Sequence, residues 1–469
     1  MKTQIVNPNL GNFVKSLRDV GYTFEIAVAD ILDNCITAKA SNIKIYTVAA
    51  PEVVFSILDN GAGMSDEQLV EAMRLATRNP DDEREKNDLG RFGLGLKTAS
   101  FSQCRKLTVV SKKADEVSAK QWDLDLIAET NEWRLITPES AELEKLPLID
   151  ELKKQKHGTL VVWQNVDRYN KGSFTDEIDK LRNHLALVFH RFLEALKPLK
   201  IFVNNNQLKP FNPFNISHRA TQQGAPEKIK IFKSTIIVQP FILPHHSKVS
   251  QQEYKRYETE DGYTKSQGFY LYRSNRLLIH GTWWGLHRAI DAHKLVRVKI
   301  DISNDQDRLW GIDIKKSTAK PLPEIKNDLA RIIRQTTEKG SRPFTGRGRK
   351  IEDKTVTRFW EIVPLNEDLR FALNLEHPVY LKLLESCGDE ELLISYLKGV
   401  QSFLPLEAIQ SNLQHNPHKI KQETILTEDE ISDFAKRLKS LDLSPEYIES
   451  LLKTELFKNR KELFDNGNK

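Results

Sequence analysis

One predicted helix, whose apolar residues indicate that it packs into a core, also carries a group of polar residues on one face. The segment FEIAVADILDNCITAKA, residues 24–40, repeats apolar residues at helical spacing, which predicts a helix packed into a core. Asp30, Asp33 and Asn34 lie three and four positions apart within it, so they project from one side of the helix. Two carboxylates and a carboxamide on a half-buried helix predict a polar site at the edge of that core.

The composition places the chain among ordinary globular proteins of several domains. Its 469 residues are 39% hydrophobic and 29% charged, with a net charge of +5, which is compatible with nucleic-acid binding without requiring it. The widely spaced Cys35, Cys104 and Cys387 form no disulfide framework or metal pattern. No signal-peptide core is present, and no run approaches the roughly 20 apolar residues of a membrane span. We therefore expect a cytoplasmic protein with no membrane partner.

A glycine turn follows a predicted strand in the stretch LDNGAGM. Asp59 lies at the end of the strand, and Gly61 and Gly63 follow it. Glycine tolerates positive φ and allows a flat ligand to approach the backbone. A carboxylate there is placed to accept a hydrogen bond from an exocyclic amine. A plain β-turn is the alternative, since Asn-Gly is a common turn dipeptide.

A second glycine-rich stretch, GRFGLGLKTAS, places Gly90, Gly93 and Gly95 before a helical run. Backbone amides at such a helix N-terminus favour a bound phosphate, and Lys97 adds positive charge. A P-loop is excluded because Lys97 does not directly follow a glycine, and the glycine spacing does not fit a dinucleotide-binding fingerprint.

Together, in this order, the acidic helix and the two glycine-bearing stretches resemble the GHKL ATPases. This superfamily includes gyrase B subunits, large heat-shock chaperones, MutL proteins, MORC ATPases and sensor histidine kinases. The sequence HGT at 157–159 is similar to a fourth, weaker element of the superfamily. The bacterial MORC-like and MutL-like branches resemble this chain most.

The resemblance implies a role for each residue that matches a motif. Asn34 would coordinate Mg²⁺, and Asp30 would act as general base at a position where hydrolytic members usually carry glutamate. Asp59 would bind the adenine amino group, Thr159 would contact phosphate, and residues 78–88 would form a lid over the triphosphate. The other residues implied to line the nucleotide are Gly61, Gly63, Met64, Gly90, Arg91, Phe92, Gly93, Leu94, Gly95, Leu96 and Lys97.

Asp33 has two open interpretations, because it lies on the same face as Asp30. It either holds the attacking water or has a structural role. Sensor kinases lack an acid at the position of Asp30, so its presence favours an ATPase. Aspartate is one methylene shorter than glutamate, so we expect slow hydrolysis.

A lysine from a second domain is also implied, since the gyrase, MutL and MORC branches direct one to the γ-phosphate. The stretch RLWGIDIKKSTAKP, residues 308–321, is the candidate. Alternation along the chain points only one of its two adjacent lysines inward. Lys316 is the preferred candidate, Lys315 is the alternative, and a surface lysine pair remains open.

The pattern of elements and the resemblance predict an α/β (α+β) chain of four parts. These are a GHKL ATP-binding α/β sandwich over residues 1–172, a transducer-like α/β domain over 173–338, a basic linker over 339–355 and a mostly helical region over 356–469. Within the first part, KQWDLDLI and EWRLIT are predicted strands.

The resemblance further implies Mg²⁺-dependent ATP hydrolysis coupled to lid closure and ATP-dependent homodimerisation. Two clients remain open. The first is DNA, clamped or remodelled in bacterial repair, restriction or defence, with a protein partner encoded nearby. The second is a protein partner of a chaperone-like or regulatory ATPase.

Overall fold

The structure is a computed structural model of the whole chain. It describes residues 3–4, 8–49, 51–75, 89, 94–168, 174–232, 234–259, 262–348, 356–365, 368–415, 426–441 and 443–464. The chain divides into two compact units. The first contains Met1–Pro244 and Arg256–Thr337, and the second contains His245–Lys255 and Glu338–Lys469.

The first unit begins with a mixed sheet. Its seven described strands run in the spatial order β4-β3-β5-β2-β1-β6-β7, and all neighbours are antiparallel except β1 and β6. The strands are β1 (Asn42–Val48), β2 (Val54–Asp59), β3 (Cys104–Lys113), β4 (Glu116–Asp123), β5 (Gly158–Val166), β6 (Lys200–Val203) and β7 (Asn206–Gln207).

Helices cover both faces of this sheet. They are α1 (Leu10–Arg18), α2 (Phe24–Thr37), α3 (Asp66–Met73), α4 (Gly95–Gln103), α5 (Leu124–Thr130), α6 (Ser140–Leu143), α7 (Ile149–Lys154), α8 (Phe174–Val188) and α9 (His190–Leu193). Ile57 and Trp163 of the central strands pack in the core shared with α1, α2, α4 and α8. The alternate residues Leu58 and Val162 pack with α7 on the other face. The layers form an α/β sandwich.

A second sheet completes the first unit. Its order is β12-β11-β13-β10-β8, with β9 paired to β10, and α11 contributes Leu329, Ile332 and Ile333 to its core. The strands are β8 (Gln222–Gln223), β9 (Glu227–Ile231), β10 (Ser234–Ile242), β11 (Gly268–Arg273), β12 (Arg276–Thr282) and β13 (Val296–Ile302). The helices α10 (Gln251–Glu258) and α11 (Lys326–Gly348) each have residues in both units. Leu187 of α8 packs against the other face of this sheet beside Tyr272, so α8 lies between the two sheets.

The second unit is mostly helical. Its described elements are β14 (Trp360–Leu365), β15 (Asp368–Leu373), α12 (Pro378–Ser386), α13 (Glu390–Ser402), α14 (Leu406–His415), α15 (Glu428–Lys439) and α16 (Pro445–Leu451). The strands β14 and β15 form an antiparallel hairpin. Ile431 of α15, Leu451 of α16 and Phe457 share a small core.

The α/β (α+β) fold class and the mostly helical C-terminal region are confirmed. The first sheet, however, extends beyond the predicted boundary at residue 172, because β6 pairs in parallel with β1. The predicted linker is also partly wrong, since α11 continues to Gly348. The remainder of that linker, residues 349–355, lies outside the described residues.

Two predicted strands differ from the structure. KQWDLDLI is a strand only to Asp123, whose side chain then accepts from the backbone N–H groups of Asp125 and Leu126 and caps α5. EWRLIT contributes a single bridge between Ile136 and Gln121.

Across the described residues, no helix combines the length and the hydropathy that a bilayer-spanning segment requires.

Candidate functional site

Helix α2 presents its acidic residues to the interior and its carboxamide to the outside. Asp30 and Asp33 are 2% and 1% exposed, whereas Asn34 is exposed. The Asn34 side-chain amide donates to the backbone carbonyl of Asp30 at 3.2 Å. The apolar residues Ile31 and Cys35 pack in the core of the sandwich. The predicted polar face therefore exists, but its carboxylates are deeply buried.

Two cations from the second sheet region neutralise these carboxylates. The Lys316 ammonium lies 3.1 Å from Asp30 Oδ1 and 2.5 Å from Asp33 Oδ2. Arg276 Nε donates to Asp33 Oδ1 at 2.8 Å, and Arg276 Nη2 lies 3.8 Å from Asp30 Oδ1. The four side chains form a neutral buried cluster, hereafter the α2 charge cluster. Charges this far from water persist only when paired.

The two adjacent lysines of the candidate stretch point in different directions. Lys316 is buried and has a left-handed backbone conformation, with φ of 55°. The half-buried Lys315 donates to the backbone carbonyl of Gly21 at 3.3 Å. Lys316 is thus the lysine that reaches the acidic face of α2.

Asp30 is held from a second side by Tyr22. The tyrosine hydroxyl donates to Asp30 Oδ2 at 2.9 Å and lies 3.5 Å from the carbonyl of Ile314. Burial raises the pKa of Asp30, while the nearby Lys316 ammonium lowers it. Asp30 Oδ2 lies 3.6 Å from where a Cβ on Gly95 would be, so this carboxylate borders the first turn of α4.

Asp59 lies buried at the end of β2. Its Oδ1 accepts from the backbone N–H of Gly61 at 2.7 Å, and the Cys35 thiol of α2 contacts the same carboxyl. Burial raises the pKa of Asp59 to about 6, against these hydrogen bonds, which lower it. A carboxyl with this pKa is an acceptor near neutral pH and gains a proton in mild acid.

The glycines after Asp59 are required by the packing of the chain itself. Gly63 has φ of 65°, and a Cβ there would lie 1.9 Å from the carbonyl oxygen of Lys112. A Cβ on Gly61 would lie 2.8 Å from that of Ala38. Two explanations were open for these glycines, the approach of a flat ligand and a plain β-turn. The structure gives a sufficient reason without a ligand.

Ser111 connects the glycine turn to the HGT element. The backbone N–H of Met64 donates to Ser111 Oγ at 2.9 Å, and this hydroxyl lies 2.9 Å from Thr159 Oγ1. Thr159 pairs with Asp59 between β5 and β2, so Asp59, Met64 and Thr159 lie at one place. A serine within a strand carries no motif, which is why sequence reasoning missed Ser111.

The second glycine-rich stretch is described only in part. Gly90, Arg91, Phe92, Gly93 and the predicted lid at 78–88 lie outside the described residues. Leu94 precedes α4, and Gly95, Leu96 and Lys97 form its first turn. The Lys97 ammonium donates to the carbonyl of Ala72, at the end of α3, at 2.9 Å, and the side chain is buried. It therefore contacts α3.

Arg273 was not predicted and contacts the residue directly before this stretch. Its Nη1 donates to the carbonyl of Leu89 at 3.0 Å. Its Nε and Nη2 donate to the two oxygens of Asp307 at 2.6 and 2.7 Å. The second sheet thus contacts both α2, through Arg276, and the chain next to Gly90.

The chain is similar to known proteins over part of its length, which includes α2. A family model described as histidine kinase-, DNA gyrase B-, and HSP90-like ATPase matches residues 22–159. The DNA mismatch repair protein MutL of Allorhizobium ampelinum (strain ATCC BAA-846 / DSM 112012 / S4) is 33% identical over 97 residues. That match covers 20% of this chain and only 15% of the relative.

Among solved structures, the chain is similar to the ATPase and transducer domains of DNA topoisomerase II from Balamuthia mandrillaris. The sequence identity is 15%, over 70% of this chain and 86% of the other, with a TM-score of 0.40. A TM-score of 0.40 supports no inference on function. The family match spans α2, the glycine turn after Asp59 and the HGT element. Residues 22–159 of this chain are thus similar to the ATPase domain of the GHKL superfamily.

Proposed function

We propose that the chain binds and hydrolyses ATP with Mg²⁺ between α2, the glycine turn and the first turn of α4. The observation that carries this proposal is the α2 charge cluster, which brings Lys316 from the second sheet region to Asp30 beside Gly95. The Lys316 ammonium, next to the N-terminus of α4, would pair with a ligand that carries several negative charges.

The donor set fits a magnesium–nucleotide ligand. Mg²⁺ prefers oxygen ligands and retains several waters, and the exposed side chain of Asn34 carries an amide oxygen. When bound, the cation would neutralise phosphate charge. Asp59 would accept from the adenine amino group, and Thr159 would complete the pocket beside Met64.

Asp30 and Lys316 would have separate roles in hydrolysis. Asp30 would orient and deprotonate the attacking water, since its raised pKa suits a general base. Lys316 would stabilise charge that develops on the terminal phosphate. Asp33, paired with two cations, is engaged in holding Lys316, so the structural role weighed for it is favoured.

The test is ATP turnover by purified protein with and without Mg²⁺. Asp30→Asn should retain ATP binding and lose about 10²-fold in turnover if Asp30 is the general base. Lys315→Met, a matched change outside the cluster, should turn over ATP at the wild-type rate. Normal turnover by Asp30→Asn would show that the base is misassigned, and no turnover by the wild type would refute the activity.

We further propose ATP-dependent homodimerisation, and DNA as the client. The relative's name as a DNA mismatch repair protein and the net charge of +5 support DNA. Light scattering with and without a nonhydrolysable ATP analogue tests the dimer, and an unchanged mass would contradict it. A salt-sensitive shift of labelled duplex DNA in the presence of ATP tests the client.

The second candidate is an ATPase that acts on a protein partner. It is favoured by exposed apolar residues along α13 and directly after it, since Leu392 and Tyr396 of the helix and its C-cap Phe403 are 67%, 68% and 86% exposed. Tyr396 and Phe403 alone expose on the order of 300 Å², comparable to the largest apolar patch of many monomers. Failure to shift DNA at low salt would favour this candidate.

A further inference from the structure

The α2 charge cluster contains a second cation that the proposed reaction does not use. Asp33 accepts one hydrogen bond on each oxygen, from Arg276 at Oδ1 and from Lys316 at Oδ2. Both carboxylates come from one helix, and both cations come from the second sheet region. The cluster therefore contains one cation more than the single lysine that the proposed reaction directs to the phosphate.

Lys316 has two incompatible sets of partners under the proposed function. In this structure its ammonium contacts Asp30 and Asp33, whereas in the reaction it contacts the terminal phosphate. Its movement to the nucleotide takes a cation from two buried carboxylates. A buried carboxylate that loses its partner is strongly destabilised, which would oppose the movement.

Arg276 is held where it can keep Asp33 paired. It is 3% exposed and begins β12, directly after a tight turn in which Ser274 and Asn275 both have positive φ. The paired ends of that hairpin are Arg273 and Arg276. A two-residue turn between paired strands fixes the direction of the side chains that flank it.

Lys316 is held differently. It lies in an irregular segment after β13, within a turn where Asp313 accepts from the backbone N–H groups of Ser317 and Thr318. The left-handed conformation of Lys316 is uncommon for a residue other than glycine. A flexible four-carbon side chain on such a turn can change partners, whereas a guanidinium anchored in a strand keeps them.

The other group near Arg276 adds no positive charge. His184 of α8 faces the guanidinium, and burial together with Arg276 lowers the pKa of this histidine to about 3. The Phe189 ring lies 5.9 Å from the centre of the guanidinium. Among the described residues, Arg276 and Lys316 are those that form ion pairs with Asp33.

We propose that Arg276 is a positioning residue, the fixed counter-ion that keeps Asp33 paired when Lys316 turns to the terminal phosphate. Arg276 stays on Asp33 through the cycle, and Lys316 alternates between Asp33 and the nucleotide. Arg276 itself contacts no phosphate. This inference rests on the proposed ATPase function and adds to it the group that permits the lysine to move.

The test compares five variants with the wild type in single-turnover ATP hydrolysis and in equilibrium ATP binding. Arg276→Met should slow hydrolysis by about 10- to 100-fold, because an unpaired Asp33 retains Lys316, and should change ATP affinity by less than about threefold. Arg276→Lys keeps the charge and should recover most of the rate. Arg334→Met, which removes an exposed arginine of α11, should match the wild type.

The double variant Arg276→Met with Asp33→Asn decides between a counter-ion and a direct role. It removes the carboxylate that needs a partner, so its rate should return to within about threefold of Asp33→Asn alone. A double variant as slow as Arg276→Met, or an Arg276→Met rate equal to wild type, would overturn the inference while leaving the ATPase intact. A wild-type protein that hydrolyses no ATP would instead refute the proposed function.

Discussion

Replacing Lys316 with methionine should destabilise the first unit, because it removes one of two cations from the α2 charge cluster. The ammonium lies 3.1 Å from Asp30 Oδ1 and 2.5 Å from Asp33 Oδ2, and both carboxylates are almost fully buried. Arg276 would then face two carboxylates alone. Removing one partner of a buried pair costs about 3–5 kcal/mol in the free energy of unfolding.

Urea unfolding followed by tryptophan fluorescence measures this loss, since Trp163 and Trp310 are both fully buried within the first unit. With an m value of about 2–3 kcal/mol/M, a loss of this size lowers the unfolding midpoint by roughly 1–2.5 M. No nucleotide is needed, so the measurement is independent of activity.

Two further variants make the result specific. Lys315→Met loses one hydrogen bond, to the Gly21 carbonyl, and should cost no more than about 1 kcal/mol. Lys316→Met combined with Asp33→Asn removes a cation and an anion together and should recover at least about 1 kcal/mol relative to Lys316→Met. Equal midpoints for Lys316→Met and Lys315→Met would refute the contacts on which the cluster rests.

Two other predictions concern the glycine turn. Because burial raises the pKa of Asp59 from 3.8 to about 6, the folded protein binds that proton more tightly than the unfolded chain, and the resulting stability is lost as pH rises through 6. Asp59→Asn should therefore stabilise the protein at pH 8 by about 2–3 kcal/mol in thermal or urea unfolding, with no gain at pH 4. ATP affinity should fall about tenfold between pH 7.5 and 5 if the ionised carboxylate binds adenine, and a flat profile would contradict that role. Gly63→Ala should cost at least about 2 kcal/mol, because its Cβ meets the Lys112 carbonyl. Gly311→Ala, also at positive φ but with no described atom within 4 Å of the Cβ, should cost about half as much, and equal losses would refute the packing argument.

Local sequence patterns predicted those features of the candidate site that are formed by residues close together in the chain. The spacing predicted the face that Asp30 and Asp33 share, whereas Asn34 lies on the exposed side of α2, and Asp-x-Gly-x-Gly predicted a turn after β2. Alternation left two lysines as candidates, and only the tertiary fold directs Lys316 inward. Each of these predictions rests on helical spacing, strand alternation or turn-forming residues in a segment of about ten residues.

Long-range pairing could not be predicted in this way. Arg276 lies 243 residues from Asp33, and nothing in YLYRSNRLLI distinguishes it from a surface arginine. Tyr22 was missed because its hydroxyl gains a role only when Asp30 is buried beside it. The boundary at residue 172 failed for the same reason, since the pairing of β6 with β1 is set by the sheet and not by the linker composition.

Titration calorimetry of the full chain with ATP and Mg²⁺ tests the central claim most directly. Saturable heat at one site per chain is expected, strongly reduced in Asn34→Ala and unchanged in Lys315→Met. No heat from the wild type, or equal heat from Asn34→Ala, would contradict a magnesium–ATP site on α2.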